Sequence, residues 1–219
     1  MPLVRLPPFP AWALGFPPKR RVGLLGGSFN PAHAGHRHIA ELALKHLGLD
    51  EVWFMVSPGN PLKQAKGMAP LCERLASAAA QARHPRLRAV SIERELGTRF
   101  TADTLAALVR RFPRTSFVWL MGADNLIQLP RWERWSSIFN AVPIAVFARP
   151  SYSTSALAGK AAQRFSPARR RSLRQATRLA SRKPPAWVFL HTRLHPASAT
   201  SIRAMTRPAP KQRAAPGKR

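Results

Sequence analysis

Two histidines follow a glycine pair near the start of the chain, in the segment Gly26-Gly27-Ser28-Phe29-Asn30-Pro31-Ala32-His33-Ala34-Gly35-His36. Glycines at a strand end let the chain turn sharply and let a ligand approach the main chain. The N–H groups of a helix start attract phosphate, and His33 and His36 can share one face there and donate hydrogen bonds to its oxygens. The segment therefore predicts a phosphate-binding loop. Its glycine spacing excludes both a G-x-G-x-x-G dinucleotide loop and a Walker loop. A metal-binding histidine pair is the alternative, but no cysteine or carboxylate lies nearby to complete a ligand shell.

A second segment that could bind phosphate lies near the other end of the chain, at Ser198-Ala199-Thr200-Ser201-Ile202-Arg203. The hydroxyl of Ser198 or Thr200 can cap a short helix. Arg203 follows one turn later and supplies a planar cation that suits forked contacts with phosphate oxygens. If the fold brings both segments together, they form one cationic site for phosphate esters.

Short apolar runs alternate with helical patterns, and these elements must position the two segments. The predicted strands are Val22–Gly26, Val52–Val56, Leu87–Ile92, Phe117–Met121, Val142–Phe147 and Trp187–Leu190, and the predicted helices include Gly35–Leu47, Leu71–Ala82 and Thr101–Arg111. This alternation predicts an α/β fold with a Rossmann-like, doubly wound parallel sheet in a single domain, with its ligands beyond the carboxyl ends of the strands. We expect a proline-rich extension over 1–20, the domain over 21–206 and a basic, disordered tail over 207–219. The basic stretch 160–183 reads as one or two surface helices.

The composition narrows the function classes. The chain has 36 Lys and Arg against 9 Asp and Glu, a formal net charge of +27, and no acidic residue after Glu133. Such a charge favours anionic partners but does not separate a nucleotide enzyme from a nucleic-acid binder. The single cysteine, Cys72, excludes an internal disulfide framework and indicates a reducing, cytoplasmic location. No apolar run is long enough to span a membrane, and we recognise no signal peptide.

Several segments together resemble a known family. The first segment resembles the signature of the HxGH nucleotidyltransferase superfamily, and Ser198–Arg203 is similar to its closing motif. The stretches Phe117–Asn125 and Leu129–Trp135 closely resemble bacterial nicotinate-nucleotide adenylyltransferases. So do the stretch Thr98–Leu105, the loop Ser57–Lys63 and the stretch Arg149–Tyr152.

The resemblance implies a nucleotidyltransferase-type fold and adenylyl transfer from ATP to nicotinate mononucleotide, giving nicotinate adenine dinucleotide and pyrophosphate for NAD biosynthesis. It implies catalytic roles for His33, His36 and Arg203. It implies contacts with ATP and its phosphates for Gly26, Gly27, Ser28, Phe29, Lys63, Gly122, Asp124, Ser198 and Thr200. It implies mononucleotide contacts for Asn30, Thr101 and Trp132. We expect Mg²⁺ to arrive with ATP, because the motifs offer few carboxylates to hold it and no metal site of their own.

Alternatives remain open at this level. Another HxGH enzyme could use nicotinamide mononucleotide or phosphopantetheine as the acceptor, although the stretches around Asp124 and Trp132 argue against phosphopantetheine. A nucleic-acid-binding protein that uses the basic region 160–219 is a different class. It is disfavoured because no nucleic-acid-binding module is recognisable and aromatic residues do not alternate with the basic ones. We expect no membrane partner, and a homo-oligomer stays open.

Overall fold

The computed structural model of this protein describes residues 19–59, 67–149 and 151–192. Within these ranges seven strands form one parallel sheet in the order β3-β2-β1-β4-β5-β7-β6. The strands are β1 Arg20–Gly27, β2 Glu51–Val56, β3 Leu87–Val90, β4 Thr115–Gly122, β5 Ile144–Phe147, β6 Arg169–Arg170 and β7 Trp187–Leu190. The predicted doubly wound α/β fold in a single domain is confirmed.

Helices connect the strands. They are α1 Ala34–His46, α2 Leu71–Gln81, α3 Ile92–Glu95, α4 Thr101–Arg111, α5 Ala123–Gln128, α6 Trp135–Ala141, α7 Ser153–Ala158, α8 Lys160–Arg164 and α9 Leu173–Thr177. The helix α1 forms because Ile39, Ala40, Ala43 and Leu44 recur at helical spacing, and all four are buried against the sheet. Short 3₁₀ turns span Leu129–Arg131, Ser166–Ala168 and Leu179–Ser181.

The sheet is buried on both faces. All six residues of β2 are buried, and the five apolar ones divide by alternation between two apolar cores. Trp53 and Met55 belong to the core on one face, together with Trp119 of β4. Phe54 and Val56 belong to the core on the other face. Continuous apolar strands of this kind are what a parallel sheet covered by helices requires.

Several predicted elements differ in extent from those of the structure, and three of the differences have a local cause. The strand predicted over Val142–Phe147 starts at Ile144, because Pro143 has no N–H to donate to a neighbouring strand. The strand predicted over Leu87–Ile92 ends at Val90, where the chain turns into the short helix α3. The basic stretch 160–183 forms two short helices separated by a 3₁₀ turn and the edge strand β6, because Pro167 interrupts helical hydrogen bonding.

The middle of the sheet is a topological switch point. From β1 the chain builds β2 and β3 on one side, and then returns to place β4 on the other side of β1. Gly26 and Gly27 end β1, and Gly122 ends β4, so both predicted nucleotide-binding segments lie at the same edge of the sheet. In open parallel sheets this crevice is where ligands bind.

The predicted domain limits concern mainly residues outside the described ranges, which exclude 1–18 and 193–219. Arg20, predicted as the last residue of the extension, already belongs to β1. In the part of the chain that the structure describes, no helix is long and apolar enough to cross a membrane.

Candidate functional site

The two histidines of the first segment meet at the start of α1. His33 is the residue immediately before the helix and is buried, while His36 lies in the first turn. Their ring centroids are 3.9 Å apart. The backbone N–H of His33 donates to Nδ1 of His36 over 3.2 Å. Because Nδ1 accepts this bond, a neutral His36 carries its proton on Nε2, which can then donate to a phosphate oxygen.

Phe29 holds the ring of His36 in place. Its ring centroid lies 4.7 Å from that of His36 and 5.5 Å from that of Phe54, on which it stacks. Phe29 is buried and has a positive φ of 47°, an uncommon conformation for a residue with a side chain. Its side chain packs in the core, so the predicted contact of Phe29 with phosphate would be made by its main chain.

The two glycines of the loop are needed for different reasons. A Cβ atom at Gly26 would lie 2.2 Å from Cη2 of Trp119, so the packing of this indole on β1 requires glycine. A Cβ atom at Gly27 would meet only the ring of Phe29, at 3.4 Å or more. The sequence suggested close approach of a ligand for both positions, whereas the structure gives Gly26 a steric role inside the protein.

Asn30 is hydrogen-bonded to the end of the connection between β2 and α2. Its amide nitrogen donates to the carbonyl oxygen of Gly67 over 3.1 Å, and its amide oxygen accepts from the N–H of Ala69 over 3.2 Å. These bonds tie the end of the β2–α2 connection to the first segment. Contact of Asn30 with the mononucleotide stays a prediction.

An ion pair lies at the carboxyl ends of β4 and β5, on the other side of the crevice. Asp124 lies in the first turn of α5, and its Oδ1 is 3.3 Å from Nε of Arg149, which follows β5. A Cβ atom at Gly122 would approach both groups, at 2.5 Å from Oδ1 and 3.0 Å from Nε. Gly122 therefore makes room for this pair. No role was predicted for Arg149 from the sequence.

Two of the three residues predicted to contact the mononucleotide, Thr101 and Trp132, lie on segments that an ion pair joins. Thr101 is the first residue of α4, and half-buried Trp132 follows the 3₁₀ turn after α5 and packs against the core. Asp103, also in the first turn of α4, is paired with Arg134. Arg134 adopts a left-handed conformation with φ of 49°. This solvent-exposed pair links the start of α4 to the segment that carries Trp132.

Arg74 is a residue that the sequence analysis missed. It is 2% exposed, lies on α2, and donates hydrogen bonds to carbonyl groups of three different segments. Burial lowers the pKa of its guanidinium, which nevertheless remains a cation. A signal was present in the sequence, since Arg74 falls on the apolar stripe formed by Leu71, Leu75 and Ala78.

Glu93 is a second buried charged residue near this edge. It is 7% exposed and lies near the side chain of Ser57, which follows β2. Burial raises the pKa of its carboxyl group to about 7, against a smaller lowering by Ser57. The Ser57 hydroxyl donates to the carbonyl oxygen of Gly59 over 2.6 Å. A protonated Glu93 can donate to Ser57 at the same time, whereas an ionised Glu93 competes with Gly59 for the hydroxyl proton.

Substituting Glu93 by glutamine should change how the free energy of unfolding depends on pH. A folded-state pKa above the ordinary 4.5 means that this carboxyl contributes stability at acidic pH, which is lost as the pH rises through about 7. Relative to Glu93→Gln, the wild type should therefore lose about 3 kcal/mol between about pH 5 and pH 8. Urea unfolding of both proteins across this range measures the difference, and parallel curves would contradict the assignment.

Four predicted site residues lie outside the described ranges, namely Lys63, Ser198, Thr200 and Arg203. Of the stretch 149–152, Pro150 lies outside them too. Among residues 19–59, 67–149 and 151–192, no group of three or more His, Cys, Asp or Glu side chains could hold a metal ion.

Comparison with known proteins gives consistent matches. The model of the cytidylyltransferase-like family matches residues 24–205. A protein of Cereibacter sphaeroides named probable nicotinate-nucleotide adenylyltransferase is 52% identical over 186 residues, 85% of this chain and 97% of that protein. A protein of Gluconacetobacter diazotrophicus with the same name is 53% identical over 195 residues, 89% of each chain.

Solved structures support the fold. The chain is similar to Plasmodium falciparum nicotinic acid mononucleotide adenylyltransferase complexed with NaAD, with a TM-score of 0.60 at 13% identity. The match covers 84% of this chain and 83% of that one.

Proposed function

This chain belongs to the nicotinate-nucleotide adenylyltransferases of the cytidylyltransferase-like family, and on that premise we propose that it transfers the adenylyl group of ATP to nicotinate mononucleotide. The observation that carries the proposal is the position of the paired imidazoles of His33 and His36 at the switch point between β1 and β4. The predicted nucleoside-binding residues of β4 and α5 lie across the same crevice. The products are nicotinate adenine dinucleotide and pyrophosphate, and the pathway is NAD biosynthesis.

In the proposed reaction the 5′-phosphate of the mononucleotide attacks the α-phosphorus of ATP. The new P–O bond forms as the bond to the pyrophosphate leaving group breaks. The nucleophile is already an anion, so no general base is needed, and catalysis consists of alignment and charge stabilisation. We assign this stabilisation to His33 and His36 from the described site. Arg203 and Lys63 are added from the sequence motifs.

The nucleosides are assigned to the two sides of the crevice. Gly122 and Asp124 would contact the adenosine, with the carboxylate available to ribose hydroxyls. Thr101 and Trp132 would contact the pyridine ring and its carboxylate, and the pairing of Asp103 with Arg134 supports this assignment because it holds their two elements together. The positive charge proposed for the site suits two polyanionic substrates, since they repel each other and need cations between them.

Mg²⁺ would be held mainly by the phosphates of ATP and by water. Of the carboxylates described at this edge, Asp124 is paired with Arg149 and Glu93 is buried, so neither is an open ligand. Bound with ATP, the ion would neutralise phosphate charge. We also propose a cytoplasmic location, which the single free thiol of Cys72 supports.

The experiment that tests the function compares three acceptors in one pyrophosphate-release assay with ATP and Mg²⁺. Nicotinate mononucleotide should give the highest kcat/KM, ahead of nicotinamide mononucleotide and phosphopantetheine. The two mononucleotides differ by one charge on the ring substituent, so their ratio measures recognition of the carboxylate. A preference for either of the other acceptors would reassign the substrate within the family.

The same assay tests the acceptor pocket through Trp132→Ala. Loss of one aromatic platform should raise KM for the mononucleotide about tenfold and leave KM for ATP near the wild-type value. Trp135→Phe, which keeps an aromatic ring three residues further on, is the control. An unchanged KM for the mononucleotide would remove Trp132 from the pocket.

A further inference from the structure

Arg74 connects three segments that converge at the candidate site. Its Nη1 donates to the carbonyl oxygen of Ser28, in the phosphate-binding loop, over 2.8 Å and to that of Ser57 over 2.7 Å. Its Nη2 donates to the carbonyl oxygen of Pro58 over 3.1 Å, and its Nε to that of Ala69 over 2.9 Å. Both ends of the β2–α2 connection and the loop after β1 are therefore bonded to one side chain.

Burial of the Arg74 guanidinium carries a cost in desolvation free energy. In the described part of the chain no carboxylate forms an ion pair with Arg74, and the residue is 2% exposed. Burying a cation without a counter-ion is unfavourable, and here four carbonyl oxygens compensate for it as hydrogen-bond acceptors. The guanidinium offers what other side chains cannot, namely several N–H donors in a rigid plane and a fixed positive charge.

The geometry also explains why the carbonyl groups need this partner. Ser28 follows the last residue of β1, and Ser57 follows the last residue of β2. At this point their carbonyl groups have left the sheet ladder, and buried carbonyls without donors are costly. Satisfying them with one rigid group fixes the positions of the two loops relative to each other.

We propose that Arg74 is a positioning residue for adenylyl transfer: it sets the phosphate-binding loop against the β2–α2 connection and adds a fixed positive charge beside the phosphates of ATP. The inference rests on the proposed function in assigning phosphates to this loop. It adds a residue on α2, outside the nucleotide-binding motifs, to the machinery of the site.

The first test compares Arg74→Lys with Arg88→Lys. Arg88 pairs with Glu51 at the amino end of β2, so its replacement controls for loss of a charged hydrogen-bonding group away from the site. Lysine keeps the charge of residue 74 but not the planar fork. In protein shown by circular dichroism to be folded, Arg74→Lys should lower kcat at least tenfold and raise KM for ATP, whereas Arg88→Lys should stay within twofold of wild type. A folded Arg74→Lys with wild-type kcat and KM would overturn the proposal.

The second test uses the wild-type protein and needs neither a variant that folds nor turnover. The Nε–H of Arg74 should give a slowly exchanging NMR signal, and titration with ATP should shift it together with the backbone amides of 26–36. If those amides shift and the Arg74 signal does not, the proposal is wrong. If wild type releases no pyrophosphate with any acceptor, the proposed function fails, and the ATP titration still decides whether Arg74 senses phosphates.

Discussion

His36→Ala should lower kcat for adenylyl transfer by about 100- to 1,000-fold, in the range seen when a single donor to a developing charge is removed. The reason is the fixed tautomer of this ring. Its Nδ1 accepts the N–H of His33, and its ring packs against that of Phe29 with an interplanar angle of 42°, so Nε2–H is held as a donor without reorganisation. Single-turnover kinetics with saturating ATP and mononucleotide would separate this loss from any change in binding.

The substitution His36→Asn separates catalysis from helix capping. An asparagine oxygen can replace Nδ1 as the acceptor of the His33 N–H, but the side chain is too short to replace Nε2. We therefore expect His36→Asn to keep a melting temperature close to that of wild type and still to lose about 100-fold in kcat. His46→Ala, in the last turn of the same helix, is the control for loss of an imidazole and should leave kcat unchanged. Near-normal turnover in folded His36→Asn would exclude His36 as a hydrogen-bond donor to the phosphate.

Gly26→Ala is the second change for which we expect a large effect, here on stability. The added methyl would overlap the indole of Trp119, which is 2% exposed and enclosed by the core. Overpacking of this kind costs about 1–3 kcal/mol or more, because neither the ring nor the central strand can move freely. Chemical denaturation would measure the change in the free energy of unfolding.

The neighbouring glycine provides the matched control. Gly27→Ala meets only ordinary contacts with the ring of Phe29, so its unfolding free energy should stay close to that of wild type. Combining Gly26→Ala with Trp119→Phe removes the atoms that clash and should recover part of the loss, giving a favourable coupling energy in a double-mutant cycle. Equal stability of the two single glycine variants would show that Trp119 does not determine the residue at position 26.

Much of the fold was predictable because the signals were local and repeated. Three helices and six strands were predicted near their observed places, since buried parallel strands are short apolar runs and α1 has a clear apolar stripe. The strand β6 was not predicted, because it consists of Arg169 and Arg170 and carries no apolar signal. Its arginines are held partly by packing, with the Arg169 guanidinium 5.4 Å from the ring centroid of Trp187.

The site was predictable to a smaller degree. Motif resemblance identified the family, which the 52% identity to the Cereibacter sphaeroides protein confirms, and it directed attention to His33, His36 and Asp124. It could not indicate the surroundings of Arg74 and Glu93. The apolar stripe of α2 signals that Arg74 is buried, but the partners of both residues lie in segments far away in the chain. The roles of Lys63, Ser198, Thr200 and Arg203 stay predictions.

The central pairing of the sheet has a consequence for how this protein folds. The strands β1, β2 and β3 are neighbours in both sequence and space, but β1 also pairs with β4, so that Arg20 lies beside Thr115 and Leu25 beside Leu120. This pairing requires closure of the long loop formed by everything between them, and contacts of such high contact order form slowly. During synthesis the segment from β1 to β3, which includes α1, can therefore fold before the crevice between β1 and β4 exists. Nucleotide can bind only after β4 has paired with β1.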